Sequence, residues 1–264
     1  MTTDARWVRS MPELYHRHLG PALFQPFARQ LATAVVARAP HRVLELAAGT
    51  GIATDELVRQ LPHGSIHATD LNPAMAGTGR ARVPGASWAT ASAEHLPFPD
   101  RSFDAVAMQF GIMFFPDQVR ALAESRRVLS PAGTVVFTAW DRVEESPFPA
   151  AMVESLVAVL PDDPPDFIVR VPHGYHDPAR MRADLISAGL QPVDVQRVVL
   201  SGRAESARSL TEGFCYGTPL RHVLQQRGSL DQVVDRLADE MTRRLGDGEI
   251  EGDLAAFVVT ATPR

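Results

Sequence analysis

Apolar and polar positions along residues 42–140 alternate between two periods. Short apolar runs, typical of buried strands, are separated by stretches in which apolar residues recur every three or four positions, as in amphipathic helices. The pattern predicts strands at 42–46, 65–69, 86–90, 103–108 and 133–140, and helices at 52–60, 73–80 and 116–129. Apolar strands joined by helices are typical of a parallel sheet covered on both faces, which is a doubly wound α/β fold.

Different patterns flank this region. On its N-terminal side, prolines at 12, 21 and 26 precede an apolar-periodic stretch at 27–37, which predicts a broken lead-in followed by one helix. On its C-terminal side the pattern predicts helices at 150–160 and 177–188, a strand at 192–200, helical character at 204–248 and a final strand at 254–262.

The segment V-L-E-L-A-A-G-T-G at residues 43–51 carries the strongest functional signal. Val43, Leu44 and Leu46 suit a buried parallel strand, and the small residues that follow would let a ligand lie against the backbone. Because a helix is predicted to begin at Ile52, the free N–H groups of its first turn face the same place. The segment therefore predicts a nucleoside-cofactor site.

Two classes of cofactor use a turn of this kind. A dinucleotide site requires G-x-G-x-x-G for the pyrophosphate, and Thr54 stands where the third glycine belongs. S-adenosylmethionine (AdoMet) carries a sulfonium and an ammonium but no phosphate, and Glu45 supplies a carboxylate inside the strand. Asp70 closes the next strand and suits the ribose hydroxyls of either cofactor, so Asp70 does not discriminate between them.

A second segment does discriminate. Residues 91–117, A-S-A-E-H-L-P-F-P-D-R-S-F-D-A-V-A-M-Q-F-G-I-M-F-F-P-D, together with residues 43–51 closely resemble class I AdoMet-dependent methyltransferases. The resemblance covers roughly residues 40–140 and points to the branch (methyltransferase type 11) that includes the ubiquinone and menaquinone biosynthesis enzymes. It implies AdoMet as the cofactor and S-adenosylhomocysteine as its product.

The resemblance also implies a role for each matching position. Glu45 and the backbone carbonyl of Gln109 are expected to face the methionine ammonium, and Asp70 the ribose hydroxyls. The other expected cofactor contacts are Ala47, Gly49, Thr50 and Gly51 at the turn, Leu71 and Met75 beside the adenine, and Ser92, Ala93 and Glu94 at the adenine edge. Ala47 replaces a usual glycine, a small change that should be tolerated. Ser92 replaces an aspartate that often binds the adenine amino group. Either the Ser92 hydroxyl or Glu94 takes over this contact, or adenine is bound more weakly.

The family fold implied is a Rossmann-like seven-stranded sheet in the order 3-2-1-4-5-7-6, with the last strand antiparallel. We expect a single methyltransferase domain over residues 1–264, with the AdoMet-binding core at 40–140. Residues 1–38 are expected to form an N-terminal lid segment, and the insertions 141–176 and 204–248 a substrate cap at the carboxyl edge of the sheet.

Composition agrees with one enzyme domain. The chain has 264 residues, 45% hydrophobic and 22% charged, and its net charge of −5 argues against a strong electrostatic hold on nucleic acid. The single cysteine, Cys215, excludes an internal disulfide, and no apolar run reaches the ~18 residues of a membrane span. We therefore expect a cytoplasmic monomer or homodimer whose partner is a small-molecule methyl acceptor.

Missing residue types narrow the chemistry. All 26 basic residues are arginine, which excludes lysine nucleophiles and Schiff bases. Class I enzymes that methylate exocyclic base amines or peptide glutamine carry an N/D/S-P-P-aromatic run after the fourth strand, whereas Gln109-Phe110-Gly111-Ile112 stands there. Those acceptors are therefore not expected. The lysine-free, Arg- and Ala-rich usage is typical of high-GC bacteria, which methylate both quinones and secondary metabolites.

Methyl transfer requires a base only if the acceptor arrives protonated. The candidate bases are His173, Tyr175 and His176 in V-P-H-G-Y-H, and His222, although each is also interpretable as a surface or structural residue. No third ligand accompanies His173 and His176 at a recognisable spacing, so no metal site is expected.

Aromatic and methionine side chains cluster after the fourth strand and within the second insertion. They are Phe110, Met113, Phe114 and Phe115, and Phe214 and Tyr216. These residues are interpreted either as soft apolar walls of a substrate pocket or as anchors that pack neighbouring helices. If they are pocket walls, the acceptor is apolar or aromatic.

The leading hypothesis is transfer of a methyl group from AdoMet to O, N or C of a small, apolar or aromatic metabolite. The alternatives are an RNA or protein methyltransferase and a non-catalytic AdoMet-binding module. The acidic balance counts against the first alternative. The intact set of Glu45, Gly49, Gly51 and Asp70 counts against the second.

Overall fold

A computed structural model describes residues 11–264, and the chain divides into two compact units. The core unit contains residues 27–140, 175–198 and 256–264, and the helical unit contains residues 11–26, 141–174 and 199–255. Of the predicted insertions, 141–176 and 204–248, all but residues 175 and 176 fall in the helical unit. The expected organisation, a single methyltransferase domain with a substrate cap, stays a prediction.

A seven-stranded sheet runs in the order β3-β2-β1-β4-β5-β7-β6. Its strands are β1 (Arg42–Glu45), β2 (Ser65–Asp70), β3 (Ser87–Thr90), β4 (Phe103–Gln109), β5 (Leu129–Trp140), β6 (Leu190–Ala204) and β7 (Ile250–Pro263). Neighbours from β3 to β5 pair in parallel, and β7 pairs with β5 antiparallel. The strand order and the antiparallel last strand confirm the predicted fold class.

The helices follow the predicted apolar periods closely. They are α1 (Met11–Leu14), α2 (Gln25–Val36), α3 (Ile52–Gln60), α4 (Pro73–Arg82), α5 (Gln118–Val128), α6 (Pro147–Val159), α7 (Phe167–Arg170), α8 (Pro178–Ser187), α9 (Ala207–Gly217), α10 (Leu220–Gln225) and α11 (Leu230–Leu245). Proline begins α4 and α8, where its missing N–H has no helical partner to lose, and the side chains of Asn72 and Asp177 cap those helices. Among the helices of residues 11–264, none combines the length and apolar character needed to cross a membrane.

The lead-in before α2 differs from the sequence expectation. Instead of a broken segment, α1 continues into a π-helical segment, Tyr15–Phe24, and then into α2. The N–H of Gln25 donates to the carbonyl of Gly20, five residues back, and this bond spans Pro21. Pro21 has no N–H to donate, so it cannot take part as a donor in the helical hydrogen bonds. The helix continues past Pro21 with the wider i→i+5 hydrogen bonding of a π-helix. Residues 1–10 of the expected lid segment, 1–38, lie outside the described residues, and its lid role stays a prediction.

Within the core unit, an ion pair holds the loop between β3 and β4 against α5. Arg127 donates to both oxygens of the Glu124 carboxylate, at 2.8 and 2.9 Å, and to the carbonyls of Leu96 and Phe98. Glu124 also accepts the N–H of Leu96 at 2.9 Å. The hydrogen bonds from Arg127 lower the pKa of Glu124 to about 2 against the opposing effect of burial. This pair therefore fixes the backbone that follows β3.

We expect Glu124→Gln to lower the free energy of unfolding at pH 7 by about 2 kcal/mol, because hydrogen bonds to a charged group are lost. The folded pKa of about 2 lies below the ordinary value of 4.5, so this stabilisation is present above pH 4.5 and is lost as the pH falls toward 2. Urea unfolding should show that the free energies of unfolding of the wild type and the variant differ less at about pH 3.5 than at pH 7. The control is Asp55→Asn, which breaks an exposed pair with Arg59. A difference of equal size at both pH values contradicts the prediction.

Candidate functional site

Three strand ends bring the predicted polar residues of the core unit to one edge of the sheet. Glu45, the last residue of β1, pairs with Ala68 of β2 and Ala107 of β4. Asp70 and Gln109 therefore each lie two residues further along a neighbouring strand that runs in the same direction. Open α/β sheets bind their ligands at this carboxyl edge.

The turn after β1 has a left-handed backbone at three positions. Ala47, Gly49 and Gly51 have φ angles of 52°, 58° and 87°. The turn is closed by N–H bonds from Ala48 to the carbonyl of Thr69 (2.9 Å) and from Gly51 to the carbonyl of Ala48 (3.0 Å). A Cβ added at Gly49 would meet nothing nearer than the Met75 Cε at 3.9 Å, so this face of the turn leaves room for a ligand.

Ala47 departs from the glycine of the family pattern, and Gly111 accommodates it. A Cβ on Gly111 would lie only 2.6 Å from the Ala47 Cβ, closer than real side chains approach. The alanine methyl therefore occupies the space that the missing side chain of Gly111 leaves. This contact is a physical reason for the absence of a side chain at residue 111.

Backbone groups hold the Asp70 carboxylate in place. The N–H of Gly49 donates to its Oδ2 and the N–H of Asn72 to its Oδ1, each at 2.8 Å. Burial raises the pKa of Asp70 to about 6, although these two bonds act in the opposite direction. The Asn72 side chain in turn accepts the N–H groups of Ala74 and Met75 at the start of α4. The acid at the end of β2 is therefore fixed by the turns on both sides of it.

Glu45 is a buried carboxylate, only 1% exposed. The hydroxyl of Thr54, on α3, donates to its Oε2 at 2.6 Å. Burial raises the pKa of Glu45 to about 8; the hydrogen bond from Thr54 lowers it, and the nearby charge of Asp70 raises it. A cation bound beside Glu45 would offset the cost of burying its charge.

The arrangement fits AdoMet. A buried acid beside the turn suits the ammonium of the methionine portion, and the fixed acid at the next strand end suits a pair of ribose hydroxyls. A pyrophosphate would meet two carboxylates instead of free donors, because the N–H of Gly49 is already bonded to Asp70. Met75 lies buried beside the turn, whereas Leu71 is 48% exposed.

Ser92 and Glu94, the two alternatives for the adenine amino group, both have local bonds. The N–H of Glu94 donates to the Ser92 hydroxyl oxygen at 3.2 Å. The Glu94 carboxylate accepts the N–H of Asp117, next to α5, at 2.9 Å. Both side chains shape the loop after β3, and the assignment of Ser92, Ala93 and Glu94 to adenine stays a prediction.

The four candidate bases are divided between the two units. In the core unit, the Tyr175 hydroxyl donates to Asp184 at 2.9 Å, and burial raises the pKa of Tyr175. In the helical unit, His173 is 4% exposed and its Nδ1 lies 2.7 Å from the carbonyl oxygen of Asp141. These contacts favour a structural interpretation of Tyr175 and His173. His176, in the core unit, and His222, in the helical unit, are half-buried, and their role as bases stays a prediction.

Within residues 11–264, the structure contains no cluster of three or more His, Cys, Asp or Glu side chains able to hold a metal ion.

The aromatic candidates are mostly packed residues. In the core unit the rings of Phe110 and Trp140 stack 3.7 Å apart at 5°, and Phe27 meets both rings edge-on. In the helical unit Phe214 is 6% exposed, and the Tyr216 hydroxyl donates to Asp231 at 2.7 Å. This burial favours packing for Phe110 and Phe214. Met113 is also buried, while Phe114 and Phe115 are half-buried.

Comparison with known proteins identifies the segment that builds the site. The family model described as "Methyltransferase domain" matches residues 44–137. The ubiquinone/menaquinone biosynthesis C-methyltransferase UbiE of Ralstonia pickettii (strain 12J) is 39% identical over 111 residues, which cover 40% of this chain and 46% of that protein. The demethylmenaquinone methyltransferase of Deinococcus radiodurans is 36% identical over 129 residues, 47% of this chain and 53% of that protein.

A solved structure supports the fold alone. The phosphoethanolamine N-methyltransferase 2 of Haemonchus contortus has a TM-score of 0.60 at 14% identity, with 100% of this chain and 61% of that chain covered. The chain spans about half the length of the curated relatives it matches.

The sheet order, the two acids and the matched segment define the core of a class I AdoMet-dependent methyltransferase. Within that class, the matched segment is similar to UbiE of Ralstonia pickettii and to the demethylmenaquinone methyltransferase of Deinococcus radiodurans. The predicted family and its cofactor, AdoMet, are thereby confirmed.

Two residues of this site were missed from the sequence. Thr54 was considered only as the residue that replaces a third glycine, and Gly111 only as part of the segment after β4. A signal for Thr54 was present, since a threonine in the first turn of a helix that follows an acidic strand end is placed to donate to that acid. No local pattern connects Gly111 with Ala47, because 63 residues separate them in the sequence.

We expect Gly111→Ala to destabilise the protein by ~1–3 kcal/mol, because the new methyl overlaps the Ala47 methyl. Adding Ala47→Gly should restore most of that loss, and the four proteins of this double-mutant cycle are compared by urea unfolding. Gly77→Ala is the matched control, since a Cβ at Gly77 meets nothing within 4 Å. Additive effects of the two substitutions would contradict the contact.

Proposed function

We propose that this chain is an enzyme that transfers a methyl group from AdoMet to O, N or C of a small, apolar or aromatic metabolite. The observation that carries the proposal is the pair of carboxylates at adjacent strand ends, Glu45 and Asp70, within the matched segment 44–137. In this proposal the two carboxylates bind opposite ends of a positively charged sulfur nucleoside. Without a cationic ligand, burial of an ionised acid would destabilise the protein, because nothing would compensate its charge.

When bound, AdoMet supplies a methyl group that its sulfonium makes electrophilic. The chain's own residues would bind and orient it: Glu45 would hold the ammonium, Asp70 would accept from the ribose hydroxyls, and the turn at 47–51 would hold the methionine portion. Holding donor and acceptor in line contributes roughly 7–11 kcal/mol of barrier reduction without covalent chemistry by the protein. A base is needed only for an acceptor that arrives protonated.

The names of the relatives support an acceptor class. UbiE and demethylmenaquinone methyltransferase are named for quinone biosynthesis, and the first of these names specifies a carbon acceptor. The family match ends at residue 137, however, before α6 to α11 begin. We therefore propose quinol-like rings as the first acceptors to test, together with other apolar phenols and amines.

We expect Asp70→Ala to weaken binding of S-adenosylhomocysteine by at least about 30-fold, because charge-assisted hydrogen bonds to two hydroxyls are lost. Gly51→Val should abolish binding, since φ at Gly51 is 87° and an added Cβ would lie 3.1 Å from Val83. Isothermal calorimetry measures both, with Asp162→Ala, an exposed change in the helical unit, as the control. Unchanged affinity in both site variants would refute the cofactor assignment.

Catalysis is tested by incubating the protein with AdoMet labelled in its methyl group and a panel of quinols, phenols, amines and cell metabolites. Mass spectrometry should find a labelled product that is absent with the Asp70→Ala protein. Tight binding of the cofactor with no labelled product across the panel would instead favour a non-catalytic binding module.

A further inference from the structure

Thr54 is the side chain that holds the acid of the cofactor site. It is the third residue of α3, lies fully buried and donates to Glu45 Oε2 at 2.6 Å. A second threonine acts on the same residue differently, because the Thr69 hydroxyl donates to the backbone carbonyl of Glu45 at 3.0 Å. Thr69 thus fixes the end of the strand, whereas Thr54 fixes the carboxylate itself.

We propose that Thr54 is the positioning residue for the cofactor's ammonium: its hydroxyl fixes Oε2 of Glu45, directs Oε1 toward the ligand and favours the ionised carboxylate over the neutral acid. The inference rests on the proposed function, because it assigns Glu45 to the methionine end of AdoMet. Thr54 acts through Glu45 and does not itself contact the cofactor.

The physical argument concerns the charge state of a buried acid. Burial and the neighbouring charge of Asp70 both favour the neutral form of Glu45, and the hydroxyl of Thr54 favours the ionised form. The first turn of α3, from which Thr54 projects, adds a favourable dipole for a negative charge. Only the ionised form pairs with an ammonium. Loss of the Thr54 hydroxyl should therefore weaken binding of the cofactor's amino-acid end and leave binding of its nucleoside end unchanged.

The sign of the pH effect follows. Glu45 is protonated below its pKa of about 8, so affinity for a ligand that carries the ammonium rises as the pH increases toward that value. Asp70 is the other titrating group that acts on Glu45, and it ionises at a lower pH, near 6. Removing the Thr54 hydroxyl raises the pKa of Glu45, and each unit of increase lowers affinity near neutral pH about tenfold.

The experiment compares two ligands by calorimetry between pH 6.5 and 9. S-adenosylhomocysteine carries the ammonium, and 5′-methylthioadenosine lacks the amino-acid portion. For Thr54→Val, which keeps the shape, we expect about tenfold weaker binding of the first ligand at pH 7, partial recovery at pH 9 and unchanged binding of the second. Thr54→Ser should restore wild-type values. Thr211→Val, which removes a buried hydroxyl bonded to the Ala207 carbonyl within α9, is the control.

Three results would overturn the inference. Equal weakening of both ligands would show a purely structural role for Thr54, and an unchanged pH profile would show no role in the charge state of Glu45. The third is an effect of Thr54→Val that persists in a Glu45→Gln background, where no carboxylate remains to position. Thr54→Ala replaces the valine variant if that protein does not fold. Wild-type protein that binds neither ligand would refute the proposed function itself.

Discussion

The burial of one carboxyl group at the end of β1 governs the organisation of this site. A carboxylate in a protein interior costs several kcal/mol unless donors or a cation compensate it. Around Glu45 the compensation comes from the Thr54 hydroxyl and the first turn of α3, and a cationic ligand would complete it. The parallel sheet makes this arrangement possible, because β1 and β2 end side by side and place a second acid next to the first.

The same constraint explains how a glycine turn that resembles a phosphate-binding loop comes to suit a different ligand. In phosphate sites the free N–H groups of the turn face the anion. Here the N–H of Gly49 bonds to Asp70, so the protein satisfies that donor with its own acid. The turn then offers close backbone approach beside two carboxyl groups, which is appropriate for a sulfonium and unfavourable for a pyrophosphate.

The sequence allowed much of the core unit to be predicted, since strand and helix periods there agree with local propensities. The predicted helix 52–60 has the bounds found for α3, and Asp70 lies at the strand end where the motif placed it. The strand that carries Glu45 ends at that residue, one position before the predicted end. The lead-in was wrong because proline was taken as a break, whereas Pro21 sits inside a π-helical segment. The separate helical unit and the Thr54 hydrogen bond depend on which segments meet in space. The local pattern of apolar and polar residues carries no information about such contacts.

The contact between Ala47 and Gly111 makes the history of the two positions interdependent. A left-handed residue with a methyl at 47 requires an unsubstituted backbone at 111, whereas glycine at 47 leaves position 111 freer to vary. Alanine at 47 and a side chain at 111 therefore compete for the same space, and a change at one position alters which residues the other tolerates. A chimaera joined between the two positions would have to keep glycine at 111 wherever alanine stands at 47.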